Sequence, residues 1–193
     1  VAMNNDRPAG CTESTVFGPF YVDDAPHYEN GDDVSNGASG QACLVHGTVK
    51  NSDGQPVSNA TIDVWQADDE GFYDVQKENL NHAQARGVLH SKVDGSFNFK
   101  SIVAEAYPIP MDGPVGTMLE ATRRSPWRPA HLHFMIKADG YETLITHVFK
   151  KGDSYQDNMV IEFDAMKKLC WETIQELDHR DLNELFDFPT SEN

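Results

Sequence analysis

The segment Arg128-Pro129-Ala130-His131-Leu132-His133-Phe134 places two histidines at i and i+2 inside HLHFMI, a run that reads as a β-strand. Successive strand residues point to opposite faces, so His131 and His133 share one face while Leu132 and Phe134 share the other. A rise of about 3.3 Å per residue puts the two histidine Cβ atoms roughly 6–7 Å apart, and two imidazoles can close that gap onto one metal ion with bonds of about 2.1 Å. An H-x-H pair alone more often means surface or hydrogen-bonded histidines, so the other donors decide.

Tyr73 and Tyr107 are candidates for those donors. Tyr73 lies in ADDEGFYD, an acidic, glycine-containing turn just past the strand-like ATIDVWQA, and Tyr107 lies in EAYPIPMDGPVG, beside prolines that exclude helix and central strand at that position. Each tyrosine taken singly reads as an ordinary surface or half-buried residue. With His131 and His133 they make a set of two neutral imidazoles and two potential phenolates. A phenol of pKa near 10 ionises at neutral pH only beside a strong positive charge, which a bound cation supplies. Zinc sites favour His, Cys and carboxylate, and non-haem Fe(II) oxygenases use two His and a carboxylate. Two hard anionic oxygens suit a trivalent ion instead, with Fe(III) the obvious candidate.

The elements that must position these residues are mostly strands. CLVHGTVK (43–50), ATIDVWQA (60–67), SFNFKSIV (96–103), HLHFMIKA (131–138) and TLITHVF (143–149) alternate or are β-branched, and Asp53-Gly54, Asp94-Gly95 and Asp139-Gly140 mark turns between them. Short strands, frequent turns and no βαβ rhythm predict a mainly β chain, an antiparallel β-sandwich with long loops. Residues 1–160 form that unit. Residues 161–193 are predicted as a C-terminal amphipathic helix, from the spacing of Met166, Leu169, Cys170, Ile174 and Leu177, followed by an acidic tail packed on the same domain or a partner.

With 193 residues, 15 basic against 31 acidic and a net charge of −16, the chain is suited neither to nucleic acid nor to an anionic membrane. It contains no apolar run of about 20 residues and no signal-peptide segment, and Cys11, Cys43 and Cys170 fit no disulfide or C-x-x-C pattern. A cytoplasmic protein with reduced thiols is expected. HRDLNELF has the look of a kinase catalytic loop but lacks the glycine-rich loop and strand lysine that would accompany one. Asp23, Asp24, Asp32 and Asp33 form no calcium-loop pattern and read as solvated loop acids. His147 is expected in a hydrogen-bonded, supporting role near the histidine pair. Arg86 reads as a local structural contact, and Trp65 and Trp127 as core or pocket-wall residues.

GxY after DVWxA, the Tyr-Pro-x-Pro stretch, DGPVG and WRPAHLHF together resemble the intradiol ring-cleaving dioxygenases, hydroxyquinol 1,2-dioxygenases foremost and catechol 1,2-dioxygenases next. The resemblance runs from about Cys11 to Tyr155. It implies that Tyr73, Tyr107, His131 and His133 are ligands of one Fe(III) per chain, with no organic cofactor. It also implies that Arg128 is the active-site cation and that Phe17, Gly18 and Pro19 of TVFGPF line the substrate pocket. Tyr107 takes the role of the ligand that leaves, and Tyr73 the role of the one retained. Ferric ion with two tyrosinates, two neutral histidines and one hydroxide carries no net charge, which avoids an unpaired buried charge. A diolate that replaces one tyrosinate and the hydroxide preserves that neutrality. The implied reaction inserts both atoms of O2 into hydroxyquinol or a related catechol and opens the ring between the hydroxyl-bearing carbons to a muconate-type, maleylacetate-forming product. Catechol, chlorocatechol or protocatechuate-type substrates are the enzymatic alternatives, and a non-catalytic sandwich module is the alternative of another class. Family members carry a long helical region before the TVFGPF-like segment that builds a homodimer interface and reaches the pocket. Here about ten residues precede Cys11, so an excised catalytic core, or a C-terminal helix that substitutes for that region, is expected.

Overall fold

The computed structural model describes residues 11–155. Its elements are β1 (Ala42–Thr48), β2 (Thr61–Gln66), β3 (Arg86–His90), β4 (Ser96–Ile102), β5 (Tyr107–Pro108), α1 (Pro114–Ala121), β6 (Trp127–Arg128), β7 (His131–Lys137) and β8 (Leu144–Phe149). A four-stranded antiparallel sheet in the order β3-β2-β7-β8 faces a two-stranded sheet of β1 and β4, and β5 pairs with β6 apart from both. This is the antiparallel sandwich that the pattern predicts.

Alternation explains the layers. Ile62 and Val64 of β2 and Phe134 of β7 point to the β1–β4 side, where they meet Phe97, Phe99, Val34 and Leu89 in a buried core. Burying such a side chain is worth roughly 1.5–3 kcal/mol, so this cluster fixes which face of each central strand turns inward. The opposite face of the same strands carries Trp65, His131, His133 and Met135, all buried. Buried on both faces, the centre of the sheet commits the histidines to a second, distinct cluster with Tyr73 and Tyr107.

Five strands lie within one or two residues of their sequence-predicted limits. The strand β3 is not predicted, because ARGVLHS is short and contains arginine and glycine, and only its pairing with β2 makes it a strand. The loop NSDGQPVSN does not close a hairpin; it carries the chain from one sheet to the other, since β1 pairs with β4 and β2 with β3 and β7. The helix α1, with Pro114 in its first turn, is likewise unpredicted. Residues before β1 are stitched onto β8: Thr15 N donates to the Ile145 carbonyl at 2.7 Å and Thr146 Oγ1 to the Glu13 carbonyl at 2.9 Å. Cys11 and Cys43 are free and half-buried. The helix expected near Met166–Leu177, the unit 161–193 and Cys170 lie outside the described residues. Among the described residues no helix is long and apolar enough to cross a membrane.

Candidate metal centre

Strand register builds the site from the sheet outward. Arg86, Trp65, His133 and His147 lie side by side across β3, β2, β7 and β8, forming one row on the face away from the main core. Trp65 stacks on His133 with ring centroids 4.7 Å apart and planes 14° from parallel, so the indole fixes the imidazole plane. His131 lies two residues along β7 with the same facing. The tyrosines come from outside the sheet: Tyr73 from the loop after β2, Tyr107 from β5. Pairing of β5 with β6 sets Tyr107 directly opposite Arg128.

The four predicted donors converge. Tyr73 Oη lies 3.0 Å from His133 Nε2, 3.4 Å from His131 Nε2 and 3.5 Å from Tyr107 Oη, and the two Nε2 atoms are 3.1 Å apart. Donors bound to one ion at about 2.1 Å with mutual angles of 90–120° stand about 3.0–3.6 Å apart, so these separations fit a single shared cation. His131 Nδ1 sits 2.7 Å from the Pro129 carbonyl, which can only accept, so Nδ1 carries the proton and Nε2 presents a lone pair to the cluster. Among the described residues His133 Nδ1 is buried without a hydrogen-bond partner, and the Trp65 stack is what orients the ring. Among the described residues no group of three His, Cys, Asp or Glu side chains could hold a metal ion. A cation here depends on the phenols.

Burial sets the protonation states. It pushes His131 and His133 well below the ordinary histidine range, with neighbouring Arg128, His147 and, for His133, His131 adding to the effect. Both imidazoles are therefore neutral and ready to coordinate at pH 7. Burial, then Tyr107, holds the Tyr73 proton on, while Arg128 and Arg86 pull weakly the other way. A bound cation would reverse that balance. Arg128 Nη1 donates to Tyr107 Oη at 3.0 Å, an always-charged donor aimed at an oxygen that gains charge when its proton leaves.

Of the predicted pocket residues, Gly18 and Phe17 adjoin this cluster. Gly18 lies against His133: a Cβ at Gly18 would be 3.4 Å from His133 Cε1, in a backbone with φ of +71° that suits glycine. Phe17 is partly exposed and its ring is 6.5 Å from that of Trp65, and Pro19 is exposed. His147 is buried, with Nε2 3.0 Å from the Val16 carbonyl, which matches its expected hydrogen-bonded role. Sequence reasoning misses Phe20, whose ring stacks on Tyr73 at 4.3 Å and 22°; its place in the aromatic run TVFGPFYV was the available signal. It also understates Arg86, which forms a buried ion pair with Asp74, next to Tyr73. An apolar groove of about 490 Å³ opens on the other face, along β1, β7 and β8, and of the four donors only His131 borders it. With the tyrosines on the opposite side, the groove is not where the donors converge.

With this fold and donor set in view, the family follows. The family model described as Dioxygenase matches residues 16–188, and the chain belongs to this dioxygenase family. It is 58% identical over 178 residues to 6-chlorohydroxyquinol 1,2-dioxygenase of Cupriavidus pinatubonensis, which covers 92% of this chain and 64% of that protein. It is 52% identical to hydroxyquinol 1,2-dioxygenase of Nocardioides simplex over 81% of this chain and 53% of that protein. The crystal structure of hydroxyquinol 1,2-dioxygenase from Pseudomonas putida DLL-E4 superposes with a TM-score of 0.76 at 44% identity, over 81% of this chain and 55% of that one. The chain thus spans between half and two thirds of the length of these relatives.

Proposed function

We propose that this chain is the catalytic core of a non-haem Fe(III) intradiol dioxygenase acting on hydroxyquinol, with or without ring chlorine, or on a closely related catechol. Tyr73, Tyr107, His131 and His133 are the residues that hold the ion. The observation that carries the reading is a buried cluster in which Tyr73 Oη lies 3.0 and 3.4 Å from the two imidazole Nε2 atoms, themselves 3.1 Å apart, and 3.5 Å from Tyr107 Oη. The names of the relatives at 58% and 52% identity support the hydroxyquinol class. When bound, ferric ion supplies the Lewis acidity that draws electron density from a chelated aromatic diol and opens its ring to attack by O2.

The chain's own residues do the rest. His131 and His133 bind without first losing a proton, because burial already keeps them neutral. Tyr73 is fully buried and wedged against Phe20, so it is the ligand that stays. Tyr107 sits on a two-residue edge strand whose second residue is Pro108, where few backbone hydrogen bonds oppose displacement. The Tyr107 oxygen would serve as the base for one substrate hydroxyl proton, and Arg128 Nη1, 3.0 Å away, stands where it would stabilise that oxygen's charge before the transfer. Trp65, Phe17 and Gly18 wall the imidazole side and limit water there.

The test is oxygen uptake by purified protein of known iron content and absorption spectrum, offered hydroxyquinol, 6-chlorohydroxyquinol, catechol and protocatechuate. Expected are a red-brown tyrosinate-to-iron band and fastest uptake with the hydroxyquinols. Protein that binds iron at other residues, or a colourless iron-free chain without turnover, would overturn the proposal.

A further inference from the structure

We propose that Arg86 is a positioning residue for Tyr73, and that its pairing with Asp74 exists to hold that phenol rather than to add stability; this rests on the reading of Tyr73 as an iron ligand. Arg86 opens β3 with its side chain almost fully buried at 3% exposure. Each of its three guanidinium nitrogens donates a hydrogen bond. Nε donates to Asp74 Oδ2 at 2.7 Å, Nη2 donates to Asp74 Oδ1, and Nη1 donates to the Phe20 carbonyl at 2.9 Å.

These partners meet at Tyr73. Asp74 is the next residue in the chain, and Phe20 is the residue whose ring lies flat on the Tyr73 ring at 4.3 Å. One planar cation therefore ties down both the backbone that carries the phenol and the aromatic ring that sets its tilt. Asp74 is fixed in turn, since Oδ1 also accepts from Val75 N at 2.8 Å and Oδ2 from Gln84 N at 3.1 Å. Tyr73 N donates to Gln76 Oε1 at 2.9 Å, which closes the turn from the other side. The loop bearing Tyr73 lies outside the sheet, and Arg86 is its anchor to the same strand row that carries Trp65 and His133.

The need for arginine follows from the geometry. Three donors leave one plane toward two segments, and a lysine ammonium offers a point charge without that fixed fork. A buried ion pair usually only offsets its own desolvation, so an apolar pair of similar volume would serve stability as well. What an apolar pair cannot do is fix two segments in direction.

The experiment compares the unsubstituted protein with Arg86→Lys, Arg86→Met and the double variant Arg86→Met/Asp74→Leu. Each is loaded with Fe(III) under citrate competition, and iron affinity, the tyrosinate absorption band and thermal unfolding are measured. The double variant leaves no unpaired buried charge, so it is expected to unfold near the unsubstituted temperature yet to bind iron about 10- to 100-fold more weakly, with a shifted or broadened band. Arg86→Lys is expected to keep the band but to displace it. If the double variant restores affinity and band along with stability, the pair is structural only and the proposal falls. Absence of any band in the unsubstituted protein would overturn the iron reading, and this proposal with it.

Discussion

Replacing Gly71 by alanine tests whether the spacing of the two tyrosine loops governs the site. Gly71 has φ of +83°, and a Cβ there would stand 2.9 Å from Tyr107 Cβ, 3.3 Å from the Ala106 carbonyl oxygen and 3.6 Å from Tyr107 Cα. Carbon atoms rest at about 3.5–4.0 Å, so the new methyl forces the Tyr107 segment back by about 0.6–1 Å at its Cβ. That segment is only the edge pair with β6, so it yields more readily than the loop carrying Tyr73. The phenol oxygens, now 3.5 Å apart, would separate. Misplacement of about 1 Å at a catalytic group costs on the order of 100-fold in turnover. The left-handed backbone adds a separate cost of roughly 1–2 kcal/mol for any residue with a Cβ.

Gly54→Ala isolates that second cost, because Gly54 has φ of +78° and nothing within 4 Å of its would-be Cβ. Both variants should lose similar stability from backbone strain, about 2–8 °C in Tm. Only Gly71→Ala should also lose iron affinity, the absorption band and turnover. Iron content after dialysis against a chelator, the visible spectrum and oxygen uptake provide the readouts. Equal iron, equal spectra and equal turnover in the two variants would refute the reasoning.

His131→Ala or His133→Ala should lose iron and activity together, by more than the 10- to 100-fold expected from losing a ligand's hydrogen-bond partner; metal analysis showing full occupancy would contradict the ligand assignment. Tyr107→Phe should retain more iron than Tyr73→Phe while turning over slowly, and identical losses in iron titrations would argue against the division of roles. In the metal-free protein, burial, reinforced by Arg128, pushes buried His147 down to about 4, so the unfolded chain binds a proton near pH 6.5 that the folded chain refuses. Stability is therefore complete above about pH 6.5 and falls as pH drops toward 4, by about 3 kcal/mol from this residue. Urea unfolding of chelator-treated protein between pH 7.5 and 4.5 should show that slope, and His147→Gln should flatten part of it; an unchanged slope in the variant would rule out His147 as its source.

The sequence by itself determined the sandwich and the strand face that carries the histidine pair. Alternation is a local property, so HLHFMI assigns His131 and His133 to one side of β7 and Leu132 and Phe134 to the other without any knowledge of partners. The choice of Tyr73 and Tyr107 was likewise legible, because the chemistry of hard anionic oxygens and a family likeness selected them. What tertiary structure alone decided is long-range. The row Arg86–Trp65–His133–His147 exists only because four strands, drawn from residues 61 to 149, align in register. Tyr107 meets Arg128 through a two-residue edge pairing that no periodicity announces. Phe20 reaches Tyr73 across 53 residues of sequence and Arg86 reaches Asp74 across 12, and such contacts depend on loop paths that local preferences do not encode. Strand faces follow from each residue's neighbours in the chain, whereas the packing of loops onto those faces follows from the whole core they must cover.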